Sequence, residues 1–534
     1  MRLKGTFGVM LVLAGLVVPL LVGTYHVQQR MNRIRVEERL TDTEPLLNAP
    51  PLVAFTTVAL GGFRGLVADW LWLRSQKMQD EGNYFEMVQL ASWIVKLQPR
   101  FTGASAFLAW NMAYNISVTF NSFEDRWKWV QRGIELIRDE ALFYNPGDPD
   151  LFHELGWIYQ HKLGRDLDDA NRFYKTQMAR EVIKVLGGYP PDWDRLIAAP
   201  RTVEQLRERL GPDTTLWRSL EANVLTFETV EHEFRKTGEL PTALKAALGE
   251  TGDRSVLELC LRRRWLEDGL KLDPARIKVL NAKYGGLDWR LPEAHAIYWA
   301  NRGLEAARGD LSVKCDRMIF QSLAAAYKAG RLVCVGEPQN WETMPNLGLV
   351  DAVNQSYVDA MEKHGRSIIQ GAYQNFLVDA IVELYTFGQQ KKAQEYFEKG
   401  RKEFGKGRFY KTLDEFVLEE LAKDMALASF EQAQGAIQGY LLQSCHALAI
   451  GENDAAVTFE RIAARIWQKY TSEIGETTTE RRGLPPYEQM KVNVVQRALE
   501  VFPPDTAQRL RAALPQGKEA LKFADSPSAS VPTP

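Results

Sequence analysis

The stretch YGGLDWRLPEAHAIYWANRGLE, Tyr284 to Glu305, is where residue types able to do chemistry crowd most closely in this chain. Asp288, Arg290 and His295 stand among Tyr284, Trp289 and Tyr298. A carboxylate, a guanidinium and an imidazole beside aromatic faces could hold a small polar ligand, or line the pocket of an enzyme acting on envelope polysaccharide. These six are the candidate ligand- or partner-binding residues. A structural reading competes with that one: Asp288 or Arg290 ties the loop to helix ends, and Tyr298 and Trp299 are core. Pro292 and Glu293 open a helix after the loop.

Elsewhere the chemistry thins out. The chain has no GxxxxGK[ST] phosphate loop, no HExxH, no GxSxG elbow, no GxGxxG and no calcium loop. His153 and His161 fall on nearly the same helical face, but two turns part them by about 12 Å, too far to share one ion directly. The four cysteines, Cys260, Cys315, Cys334 and Cys445, have no CxxC spacing and read as buried small side chains. No catalytic residue, metal or cofactor is expected. Trp127 and Trp129 are two apart on a helix, so they cannot form one stacking platform. The LRRRW run, Leu261 to Trp265, reads as a solvated basic face, with membrane headgroup contact as its alternative. With 66 basic against 68 acidic residues there is no global field to attract nucleic acid.

The elements that must position these residues are helical. From Tyr84 onward, apolar residues recur at three- and four-residue spacing with hardly any sustained alternation, which predicts an all-α chain. Glycines and prolines punctuate it at Gly82, Pro99, Pro146, Gly164, Pro274, Gly330, Gly388 and Gly451. The 534 residues, 45% hydrophobic, can bury ample core. Ahead of the array, the 6–23 run TFGVMLVLAGLVVPLLVG carries no charge and nears the minimum that crosses a bilayer core, predicting an uncleaved transmembrane anchor. Basic residues flank it on both sides; the short basic tail before it favours placing the bulk of the chain outside the cytoplasm.

Several helical pairs share an internal order of side chains. In LVDAIVELYTFGQQKKAQEYFEKGRKEF, Leu377 to Phe404, Leu377, Ala380 and Leu384 line a first helix, Gly388 the turn, and Ala393, Phe397 and Gly400 a second. In Leu151 to Lys175, Phe152, Leu155, Gly156, Tyr159, Ala170 and Tyr174 follow the same order. Weaker copies run through 82–99, 319–332 and 451–466. This order resembles the tetratricopeptide repeat, and with the apolar start it is similar to bacterial membrane-anchored tetratricopeptide proteins. The resemblance implies a TPR-like α-α superhelix behind an N-terminal transmembrane helix, in the bacterial inner membrane. It implies a scaffold or adaptor that binds protein or peptide partners in a concave groove, and it carries over no catalytic residue. An envelope enzyme or small-ligand receptor is the alternative, and self-assembly into a homo-oligomer the third option.

The expected organisation is a basic tail over 1–5, the anchor over 6–23, a stalk over 24–51 and repeats over 52–186. An irregular helical insertion over 187–273, repeats over 274–470, terminal helices over 471–514 and a disordered tail over 515–534 follow. Within 333–349 a loop interrupts the repeats. GGFRGLVADWLWLRSQ, Gly61 to Gln76, looks like a span given charges: Arg64 and Asp69 in mid-bilayer would cost about 3 kcal/mol each. It reads instead as a deeply buried helix, apolar nearly all round, with Asp69 tied inside the protein.

Overall fold

The computed structural model describes residues 3–37, 63–334, 341–405, 407–409, 411–423, 430–451, 453–474 and 484–514. Over these the chain is all-α apart from one small hairpin, and it divides into two compact units, 1–101 with 143–146 and 102–142 with 147–534.

In the first unit, one helix runs Leu3–Glu37 through the expected anchor. Within 6–23 the described side chains are those of Gly15, Val17, Pro19, Leu20, Val22 and Gly23. Among the described residues no helix is long and apolar enough to cross a membrane. The rest of the stalk beyond Glu37, and the tail expected over 515–534, lie outside the described residues. Two further helices, Phe63–Asp80 and Tyr84–Leu97, fold back on each other about Gly82, which takes φ +76° in the turn. Ala68, Leu71, Ser75 and Met78 form the buried stripe of the first; Met87, Leu90, Ala91, Ile94 and Val95 form that of the second.

This corrects the expectation for Gly61 to Gln76. The helix is buried on one side only: Leu66 is 63% exposed, Trp70 57% and Leu73 68%, and Asp69 is exposed rather than tied inside. The physical reason is geometric. Composition all round a helix can report burial on every side, but within its unit this helix packs chiefly on one neighbour. Arg74 pairs with Glu86 across that hairpin and lies over the Trp70 ring.

In the second unit, helices Pro149–Trp157, Pro292–Ala306 and Gly309–Ala329 pack closely because glycine leaves room at their contacts. A Cβ on Gly156 would stand 2.6 Å from Met318 Sδ, and one on Gly303 3.1 Å from Cys315 Sγ. Helices Arg366–Thr386 and Gln390–Phe404 follow as a hairpin with Gly388 at φ +78° in the turn. Leu377, Ala380, Leu384, Ala393 and Phe397 are fully buried. The last helices, from Phe430–Ala449 to Pro504–Ala513, share a core that includes Ile437, Leu441, Ile462, Ile466, Val494 and Leu510.

Between these groups, 187–273 forms short helices, and here the arginine run takes an unexpected place. Arg262 donates to the Lys184 and Val185 carbonyls at 2.7 and 3.4 Å, Arg263 to those of Ile197 and Ala199 at 2.7 and 2.6 Å, and Arg264 to Glu231. The run is no solvated face: Arg262 and Arg263 tie down helix ends, and Arg264 pairs with Glu231 inside helix Phe227–Thr237. Carbonyls left open at a helix C-terminus are acceptors at the negative end of the helix dipole, which a guanidinium satisfies. The loop expected over 333–349 is likewise partly a hairpin, with antiparallel strands Arg331–Cys334 and Trp341–Met344 pairing Leu332 with Thr343.

Candidate functional site

The end of helix Pro274–Tyr284, the loop after it and helix Pro292–Ala306 bring the six candidate residues together, but in the interior. Tyr284, Asp288, Trp289, Arg290, His295 and Tyr298 are each at most 7% exposed. Asp288 accepts from Arg290 Nε and Nη2 at 2.8 and 2.6 Å and from the Leu332 N–H at 2.9 Å, while Arg290 Nη2 donates to the Leu332 carbonyl at 2.6 Å. The pair therefore locks the loop to the β-hairpin. The guanidinium also lies 4.0 Å from the centre of the Tyr189 ring, a cation–π contact in a desolvated setting.

Trp289 is held at both ends. Its indole N–H donates to Asn281 Oδ1 at 3.0 Å and its backbone N–H to the Tyr189 hydroxyl at 3.2 Å. Its carbonyl sits 2.9 Å from His295 Nε2. A carbonyl only accepts, so Nε2 carries the proton, and a neutral ring then offers Nδ1 as an acceptor. Burial pushes the imidazole down to about 4, outweighing the stabilising Trp289 carbonyl. Tyr298 accepts from the Asp273 N–H at 2.9 Å, and Tyr284 donates to Asn301 at 3.3 Å. Of the six, His295 lines a cavity, a chamber of about 40 Å3.

A larger opening lies along helix Arg366–Thr386. A cleft of about 480 Å3 is lined by Asn375, Val378, Asp379, Val382 and Glu383 from one face of that helix, with Arg408, Glu420, Leu421, Ala436, Tyr440 and Ile466 opposite. Positions i, i+3, i+4, i+7 and i+8 make one stripe, so the cleft runs along the helix rather than across it. Lys328 pairs with Asp379 at 2.7 Å and Arg408 with Glu420 at 2.8 Å. The Glu383 side chain makes no hydrogen bond among the described residues, and burial pushes its carboxyl up. The sequence carried a signal for these residues: they flank the packing positions Leu377, Ala380 and Leu384, on the side of the helix left over once its partner is assigned.

Sequence reasoning also missed a buried charge network at the turn after Tyr159. Asp168 accepts from Lys162 at 2.7 Å, Tyr174 at 3.0 Å and the Ala170 N–H at 2.7 Å, and pairs with Arg126 at 3.2 Å. Burial alone would raise this carboxyl; the lysine and the turn N–H bring it down to about 2. The network closes the turn between Ile158–Leu163 and Asn171–Leu186 and is structural.

The histidines take separate partners. His153 contacts Glu154 at 3.1 Å, and His161 Nδ1 the Tyr114 hydroxyl at 3.2 Å. Among the described residues no group of three or more His, Cys, Asp or Glu is placed to hold a metal ion. Cys260, Cys315 and Cys445 are buried thiols, pushed up by burial to about 11, 12 and 11. Trp127 stacks on Tyr174 and Trp129 on Phe120, two different neighbours, as their spacing requires. Comparison with family models, curated proteins and solved structures finds no match to this chain, so its function is argued from its own residues.

Proposed function

We propose that this chain is a membrane-anchored helical-repeat adaptor of the tetratricopeptide kind, held by residues 6–23, which docks an extended protein segment in the cleft along helix Arg366–Thr386. The observation that carries the reading is the stripe Asn375, Val378, Asp379, Val382 and Glu383, which lines an open cleft with alternating apolar and polar side chains. Helical repeats bind extended segments on such faces, with apolar positions supplying contact area and polar ones register. The close glycine contacts at Gly156 and Gly303, and the Gly388 turn, fit the same kind of repeat.

The test is a photo-cross-linking residue in place of Asn375 in the full chain, followed by purification from membranes. A discrete adduct that disappears when Val382→Arg and Glu383→Lys are added supports the reading. Recovery of the bait alone across several growth conditions counts against it.

A further inference from the structure

The chamber beside His295 is framed by π-helical turns. It is lined by Trp127, Gln131 and Glu135 from helix Phe123–Glu135, Arg138 from the π-helical Leu136–Ala141, Tyr159 from the π-helical Ile158–Leu163, and Glu181 from helix Asn171–Leu186. Leu270, also in the wall, directly follows a third π-helical turn, Trp265–Gly269. Such turns are rare, hold their backbone at a cost in regular hydrogen bonding, and concentrate where side chains must be re-aimed at a site. Two of them in the wall of one void of about 40 Å3, with a third ending beside it, is the first observation.

The second is the charge balance of the wall. Arg138 is already neutralised, its Nε and Nη2 forming a fork on Asp139 at 2.8 and 2.7 Å. Glu135 has Arg132 at 3.5 Å, and with 43% of its side chain exposed it stands at the mouth. The Glu181 side chain makes no hydrogen bond or ion pair among the described residues, and burial pushes its carboxyl up against the opposing pull of the Arg138 and Lys184 charges, neither of which closes to a contact. His295, 3% exposed, lines the same void with its Nε2 engaged by the Trp289 carbonyl, and the Tyr159 ring lies 5.0 Å from the imidazole. The unfilled capacity is thus for hydrogen-bond donors carrying positive charge, between aromatic walls.

We propose that this chamber is a binding site for a primary ammonium group, which donates to the Glu181 carboxylate, to His295 Nδ1 and to the Tyr159 hydroxyl against the face of Trp127. Size agrees: at roughly 10–15 Å3 per water-sized occupant, the void takes an ammonium head and about one attached methylene, and no larger ligand body. The loop has a role here through His295: the Asp288–Arg290 lock holds Trp289, whose carbonyl fixes the tautomer that leaves Nδ1 open. Chamber and cleft share no residue, so the site stands independently of the adaptor reading.

Two sources could present this group, a free alkylamine or a lysine side chain of a bound segment. Saturation-transfer NMR and calorimetry on the full chain, with methylammonium chloride and with Nα-acetyl-lysine methylamide, distinguish them against sodium chloride at equal ionic strength. Saturable binding of methylammonium assigns a free amine; binding of the lysine amide, alone or at least about tenfold tighter, assigns a side chain. In Glu181→Gln, which keeps the shape and removes the charge, affinity for either should fall at least about tenfold. Thermal unfolding of that variant without ligand should match or exceed the native chain, since a carboxylate with no hydrogen-bond partner is replaced by a neutral amide of the same shape. Absence of saturable binding by both probes, meaning a chamber that holds water only, overturns the proposal. So does binding that Glu181→Gln leaves unchanged.

Discussion

Arg290 illustrates how a residue suited to chemistry becomes a fastener. Its guanidinium satisfies Asp288 and the Leu332 carbonyl in a setting where each is buried. Replacing Arg290 by Ala strips the carboxylate of its partner and is expected to lower stability by about 3–5 kcal/mol, read as a shifted urea midpoint. Asp288→Ala with Arg290→Ala together should cost less than the sum of the two single changes, because the double variant leaves no orphaned charge. His295 supplies the pH dependence. Its folded pKa, about 4, lies below the ordinary 6.5, so below pH 6.5 the unfolded chain takes up a proton that the folded one refuses. Its contribution is intact above pH 6.5 and is lost as pH falls toward 4, to the extent of about 3 kcal/mol. The stability gap between the native chain and His295→Gln, measured by urea unfolding, should therefore narrow from pH 7 to pH 5. The cluster of six was legible as a cluster because its residue types crowd in sequence. Its burial was not, because the covering groups, Tyr189, Leu332 and Asn281, come from other elements.

At the scale of elements, the run Arg262, Arg263 and Arg264 shows the limit of a charge pattern. Three consecutive arginines on a helix point in different directions, and here two of them meet the ends of other helices while Arg264 meets Glu231 within a third. Gly187 makes room for the first of them. It sits at φ +75°, and a Cβ there would stand 2.3 Å from Arg262 Cζ. Gly187→Ala should thus destabilise by about 1–3 kcal/mol from the backbone alone, with a further loss as Arg262 leaves its carbonyls. Arg262→Ala in that background should cost less than in the native chain, which urea unfolding of the four variants would measure. Helix existence was readable throughout from periodicity, whereas the facing of Phe63–Asp80 was not. Leu66, Trp70 and Leu73 and the stripe Ala68, Leu71 and Met78 are comparably apolar, and the packed neighbour alone chose between them. The π-helical turns left no mark in the sequence either, since they repeat neither the 3.6 nor the 2.0 period.

For the whole molecule, the proposed anchor gives a direct prediction. Carbonate-resistant membrane association should vanish when residues 1–30 are deleted, and alkaline phosphatase fused to the C-terminus should be active if the bulk of the chain lies outside the cytoplasm. An inactive fusion would reverse that orientation. The sequence by itself determined that the chain is all-α, that turns fall at points such as Gly82, Gly330 and Gly388, and that 6–23 is uncharged and apolar. These follow from local spacing, capping and composition, which neighbours along the chain decide. Only the tertiary structure decided that helix Pro149–Trp157 packs on the distant Pro292–Ala306, with Phe152 stacked on Trp299. It also decided that Asp288 and Arg290 face inward, that one stripe of Arg366–Thr386 stays open, and that Glu181 and His295 share a void. Burial and cavities arise where elements far apart in sequence meet. Periodicity records which face a helix can bury, but the shape of the partner determines which face it does.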